Sequence, residues 1–173
     1  DILNHLSHAQ PQAQAVETCE EARGILAGIG ARDLTDLTAA SVYADTADSQ
    51  ARHSLELGRL EDAERLEREV YQIAETVLAR RPGDLRSMKN RALAADLLGR
   101  IALRRGDFAT ASEFAARSEQ ASEDIVRFNP GDVGSWMYLV RAGSRRATVL
   151  HEQGRLRDAL DKLESNVALA GDE

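Results

Sequence analysis

The chain has 173 residues, of which 43% are hydrophobic and 29% are charged, and its formal net charge is -7 at pH 7. This balance predicts one folded domain, and the acidic charge opposes nucleic-acid binding, because a phosphate backbone needs concentrated positive potential. The single cysteine, Cys19, cannot form an internal disulfide, and no apolar run approaches the roughly 18 to 20 residues of a membrane span. We therefore expect a cytoplasmic protein that binds neither nucleic acid nor membrane.

Composition also predicts the fold class. Aromatic residues make up only 4% of the chain, and alanine and leucine supply most of the apolar bulk. Both features favour helix over sheet, so we expect an all-α protein. The sequence opens at Asp1, without a methionine, inside an amphipathic stretch. We expect it to be a segment of a longer chain.

A pattern recurs every 48 residues. Gly58, Gly106 and Gly154 lie in the stretches LGRLEDA, RGDFATA and QGRLRDA, each followed by an apolar residue and then an alanine at fixed spacing. The alanines are Ala63, Ala111 and Ala159. Glycine ends a helix readily because it adopts positive φ at little cost. Each glycine therefore predicts a turn between two helices.

A second block repeats with the same period. RPGDL, which contains Pro82, matches NPGDV, which contains Pro130, and an aspartate column runs through Asp36, Asp84 and Asp132. Proline stops a preceding helix, and an aspartate caps the next by accepting hydrogen bonds from its free N–H groups. The predicted helices, in chain order, are 12–29, 35–57, 60–80, 85–104, 107–128, 133–153 and 156–170. They form a partial repeat over 1–33 and full repeats over 34–81, 82–129 and 130–173.

The middle unit, LLGRIALRRGDFATASEFA, resembles the tetratricopeptide repeat. The matching positions are Leu98, Gly99, Ala102, Gly106, Asp107, Phe108 and Ala111, with Pro130 closing the unit. The usual unit has about 34 residues, so this one resembles the long-helix variety found in bacterial multidomain signalling proteins. The resemblance implies a right-handed α-solenoid of antiparallel helix pairs, and the small residues Gly99 and Ala111 are expected where helices touch.

In that family the first helix of each pair lines a concave face that binds peptides or protein segments. The resemblance places these partner-binding residues there: Asp45, Asp48, Arg52, Leu93, Asp96, Arg100, Arg104, Arg141, Ser144, Thr148 and His151. Their arginines suit carboxylates of a partner. The alternative is solvated charge, with Asp96 paired to Arg100 one turn away. Trp136 falls in the column of Met88 and is predicted to pack in the core.

No catalytic, metal or cofactor pattern stands out. His5 and His8 are one helical turn apart but have no third ligand of matching spacing, and Cys19 lies among acids that oppose thiolate formation. Arg105, Gly106 and Asp107 form an adhesion-type tripeptide, which the repeat explains as a turn and a helix cap. We therefore expect no enzyme, metal or cofactor site.

Three functions remain open. The first is a protein-interaction scaffold whose partner the sequence does not identify. The second is a sensory domain that binds a small ligand or peptide and regulates an attached domain. The third is a homo-oligomerisation module, because the ends of a solenoid expose apolar faces unless they are capped.

Overall fold

The computed structural model describes residues 11–171, and these form seven helices with no strand among them. In chain order the helices are α1 (Gln12–Gly28), α2 (Leu37–Glu56), α3 (Leu60–Arg80), α4 (Leu85–Arg104), α5 (Phe108–Phe128), α6 (Val133–Glu152) and α7 (Leu156–Gly171). Every helix begins and ends close to its predicted boundary. The all-α prediction is confirmed.

The three glycine turns have one geometry. Gly58, Gly106 and Gly154 have φ values of +76°, +73° and +75°. A Cβ atom at any of them would meet no atom within 4 Å, so the backbone conformation, not crowding, favours glycine there. The 48-residue spacing therefore places the same turn at the same point of each repeat.

Aspartate caps start the helices as predicted. The side chains of Asp36, Asp84 and Asp132 accept hydrogen bonds of 2.8 to 3.3 Å from N–H groups two or three residues further along. Asp107 caps α5 by accepting a bond of 3.1 Å from the Thr110 N–H. These acceptors satisfy donors that the first turn of a helix leaves without a partner.

The chain divides into two compact units, Asp1–Ala94 and Ala95–Glu173, and the division falls inside α4. In the first unit, α1 and α3 both pack against α2. Small side chains let these helices approach closely: Ala51, which lies 48 residues before Gly99, and the repeat position Ala63 are fully buried. Within residues 11–171, no helix combines the length and apolar character that a membrane crossing needs.

In the second unit, α6 packs against both α5 and α7. Ala111 is fully buried, and a Cβ added to Gly99 would lie 3.5 Å from the Ala111 carbonyl oxygen. The predicted close approach at these two positions is confirmed. The apolar residue that follows each turn is not fully buried, however, because Leu60 is half-buried and Phe108 and Leu156 are 40% and 62% exposed.

Trp136 also differs from its prediction. It is only half-buried, and its Nε1–H donates a hydrogen bond of 2.9 Å to the carbonyl of Pro130. Its equivalent Met88 is buried. The indole ring of Trp136 therefore lies against the loop that precedes α6 and not in the core.

Candidate functional site

In the first unit, the predicted acidic residues of α2 are held by arginines. Asp48 is 5% exposed and accepts two bonds from Arg52, at 2.9 Å from Nε and 3.2 Å from Nη2. Asp45 accepts a bond of 2.6 Å from Arg86, near the start of α4. Leu93 is half-buried. These charges are largely occupied within the fold, so they offer little to a partner.

Asp45 nevertheless has an unusual environment for a carboxylate. Its pKa is raised from 3.8 to about 6, mainly by burial and less by the nearby Asp48, against the opposing effects of Arg86 and Asn90. Its side chain is 29% exposed. The contacts with Arg86 and Asn90 therefore offset only part of the cost of burying the charged carboxylate near neutral pH.

In the second unit, Asp96 binds arginines of α6. It is 3% exposed and accepts bonds of 3.1 Å from Arg141 and 3.0 Å from Arg145. The acid thus pairs across two helices instead of with Arg100 on its own helix. Arg100 is half-buried and Arg104 is exposed. Asp96 consequently links the end of α4 to α6.

The remaining predicted residues lie together on one exposed face of α6. Arg141, Ser144, Thr148 and His151 are all exposed, and they follow one another at helical spacing. Two apolar residues that the sequence reasoning did not single out extend this line. The α6 face is formed by Val133, Met137, Arg141, Ser144, Thr148 and His151. Val133 is 61% exposed and Met137 is 67% exposed.

Buried polar contacts hold the other sides of α6. Glu119 of α5 is 5% exposed and binds both Arg146 of α6, at 2.5 Å, and Lys162 of α7. Burial acts to raise the pKa of Glu119, but the bonds from Lys162 and Arg146 outweigh burial and hold that pKa below its usual value. Asn166 of α7 also donates to the Val140 carbonyl of α6 at 2.7 Å, so the helix that presents the α6 face is bonded to both of its neighbours.

A polar cavity of about 420 Å³ opens between α1, α2 and α3 of the first unit. Its lining includes Arg23, Arg32, Arg59, Arg65 and the acids Glu20, Asp62 and Glu69. Arg65 pairs with Asp62 at 3.2 Å. Among the described residues, no acid forms an ion pair with Arg59. The cavity thus combines paired arginines with an available one.

Arg23 lies deepest in this cavity, with 14% of its side chain exposed. Its guanidinium donates to Gln50 at 2.7 Å, to Tyr43 at 2.6 Å and to Glu69 at 3.0 Å. Burial raises the pKa of Tyr43, whose hydroxyl donates to Glu69 at 2.9 Å. Within residues 11–171, the buried Nε of Arg23 has no hydrogen-bond acceptor.

The remaining residues that the sequence analysis considered are Cys19, His5, His8 and the adhesion-type tripeptide. Cys19 is buried, and the part of the chain that the structure describes holds no group of three metal-ligating side chains. His5 and His8 lie outside the described residues. Asp107 of the adhesion-type tripeptide is exposed, and hydrogen bonds from Thr110 lower its pKa.

Comparisons with known proteins do not assign a family. No protein-family model matches the chain, and a search of curated proteins finds no match. The resemblance to tetratricopeptide repeats therefore depends on the residues of the repeat itself.

Proposed function

We propose that the chain is a tetratricopeptide-like, right-handed helical repeat that binds a segment of another protein along the α6 face. Three glycine turns between helices support the repeat, since they recur every 48 residues and have nearly the same positive φ. The observation that carries the binding function is the exposure of Val133 and Met137, at 61% and 67%, on the same line as Arg141. Exposed apolar residues beside charged groups are typical of interaction sites.

The chemistry of the α6 face defines the segment that fits. The thioether of Met137 adapts to varied apolar side chains, and Arg141 has guanidinium N–H groups beyond the one that binds Asp96. Met137 and Thr148 are separated by roughly 16 Å along the helix axis, the span of about five residues of extended peptide. We expect a segment in which an apolar side chain is followed closely by a carboxylate.

Panning a random peptide library displayed on phage against the intact chain tests this proposal. Peptides that combine an apolar residue with an acid should be enriched. Met137→Ala should weaken their binding at least about fivefold in fluorescence anisotropy, and Thr148→Arg should weaken it by steric block. Ile25→Ala is the matched control, because Ile25 is 63% exposed on α1 and is not one of the residues of the α6 face. Unchanged affinity in both α6 variants would overturn the assignment.

The polar cavity favours a second candidate, a sensory domain for a small anion. Arg59 has no ion-pair partner among the described residues and lines the same cavity as Arg23, so a carboxylate or phosphate group matches the lining. Citrate, glutamate or inorganic phosphate should then raise the melting temperature of the chain. Arg59→Ala should abolish that rise, whereas Arg157→Ala on α7 should preserve it. No rise with any of the three anions removes this candidate.

A further inference from the structure

The last described helix carries an exposed apolar line. Leu156, Leu160, Leu163 and Val167 of α7 are 62%, 55%, 44% and 71% exposed. Their spacing of four, three and four residues is that of a coiled-coil seam. We call these four residues the α7 stripe. The buried Ala159 and Asn166 lie beside it, on the side that faces the unit's interior.

On the sister helix α5, two of the four equivalent positions are buried. The equivalents of Leu163 and Val167 on α5 are Ala115 and Glu119, which are 0% and 5% exposed. Both contact α6, since Ala115 clusters with Val149 and Glu119 binds Arg146. The same columns on α7 hold larger apolar side chains that remain exposed. This side of α7 therefore has the shape and the apolar character of a helix-packing surface.

Charges beside the stripe favour one occupant. Arg157 and Glu164 are exposed and follow the outer edge of the stripe one heptad apart. Among the described residues, neither forms an ion pair. If a second α7 packs antiparallel, Arg157 lies near the partner's Glu164, and two-fold symmetry forms this pair twice. The stripe is thus complementary to itself in both apolar pattern and charge.

We propose that the α7 stripe is a homodimer interface in which two copies of this chain pair their α7 helices antiparallel. Leu160 and Leu163 form its centre, because they are the middle pair of the four. Only four apolar side chains come from each copy, so the dimer is weak and dissociates on dilution. The proposal concerns a different surface from the α6 face and does not depend on the peptide-binding function.

Sedimentation equilibrium of the intact chain over a range of about 1 to 300 μM tests the dimer. The average mass should rise from that of a monomer towards that of a dimer across this range. Leu160→Asp should weaken dimerisation at least about tenfold. The matched control Ile25→Asp should leave it unchanged, because that exposed apolar residue lies on α1. Circular dichroism should show the same helix content in all three proteins.

A charge exchange tests the orientation. Glu164→Arg alone should weaken the dimer, because Arg157 would then face a like charge, and adding Arg157→Glu should restore it. A monomer at every concentration, or a dimer that Leu160→Asp leaves intact, would overturn the interface. A dimer that the charge exchange does not restore would overturn the antiparallel arrangement. Peptide binding to the α6 face should be unaffected by any of these variants.

Discussion

Replacing Gly143 by alanine is expected to destabilise the second unit by about 3 kcal/mol. A Cβ atom at Gly143 would lie 2.4 Å from Oδ1 and 2.9 Å from Cγ of Asn166. Asn166 cannot move aside freely, because it is 6% exposed and donates to the Val140 carbonyl at 2.7 Å and to the Ser144 hydroxyl at 2.9 Å. The added methyl group must therefore either separate α6 from α7 or break these bonds.

Urea unfolding followed by circular dichroism measures this effect. Gly24→Ala is the matched control: Gly24 lies within α1, and a Cβ there would meet no atom within 4 Å, so alanine should add up to about 1 kcal/mol of stability. Combining Gly143→Ala with Asn166→Ala should recover part of the loss, because it removes the clashing amide. An unchanged unfolding midpoint in Gly143→Ala would contradict the described packing.

Asp45→Asn is expected to stabilise the chain at pH 7 by about 2 kcal/mol. The pKa of Asp45 is raised from 3.8 to about 6 in the folded state, mainly by burial. The folded state therefore binds this proton more tightly than the unfolded state does. The carboxylate lowers stability above about pH 6, and this cost shrinks as the pH falls towards 4. The neutral amide avoids the cost at every pH but loses the ionic component of the bond to Arg86.

Unfolding free energies at pH 7 and pH 5 test the sign. The advantage of Asp45→Asn should be largest at pH 7 and smaller at pH 5. Glu119 does not obscure this window, because its pKa is lowered from 4.5 and its contribution is lost only at more acidic pH. Asp158→Asn on the surface of α7 serves as the matched control and should have little effect. An advantage that is the same at both pH values would contradict the raised pKa.

The helices and their turns could be predicted because their causes are local. Gly106 ends α4 through its own backbone preference, and Asp132 caps α6 through bonds to residues two and three positions away. The 48-residue repeat then strengthened these predictions, because the same glycine and aspartate positions occur in each repeat. The same reasoning located Asp107 as the cap of α5.

The partners of the buried charges were not predictable in this way. Asp96 was predicted to bind a partner or, as the alternative, to pair with Arg100 four residues along the same helix, but it binds Arg141 and Arg145 of α6. Which arginine reaches a buried acid depends on the rotation of two helices, and residue spacing within one helix does not specify that rotation.

Only the polar residues of the α6 face were predicted from the sequence. Its polar half, including Ser144 and Thr148, follows from the helix that the family uses for binding. Its apolar half, Val133 and Met137, was missed because an apolar residue at helical spacing is more often in the core. Only the packing of α6 between α5 and α7 shows which of its sides remains exposed.

The glycine turns also determine where foreign sequence can enter the chain. Gly58, Gly106 and Gly154 are exposed and a Cβ atom at any of them would meet no atom within 4 Å, so we expect these turns to tolerate a short insertion. Each turn is thus an attachment point for a fluorescent label or an affinity tag. The turn at Gly154 joins α6 to α7, which places such a label between the α6 face and the α7 stripe.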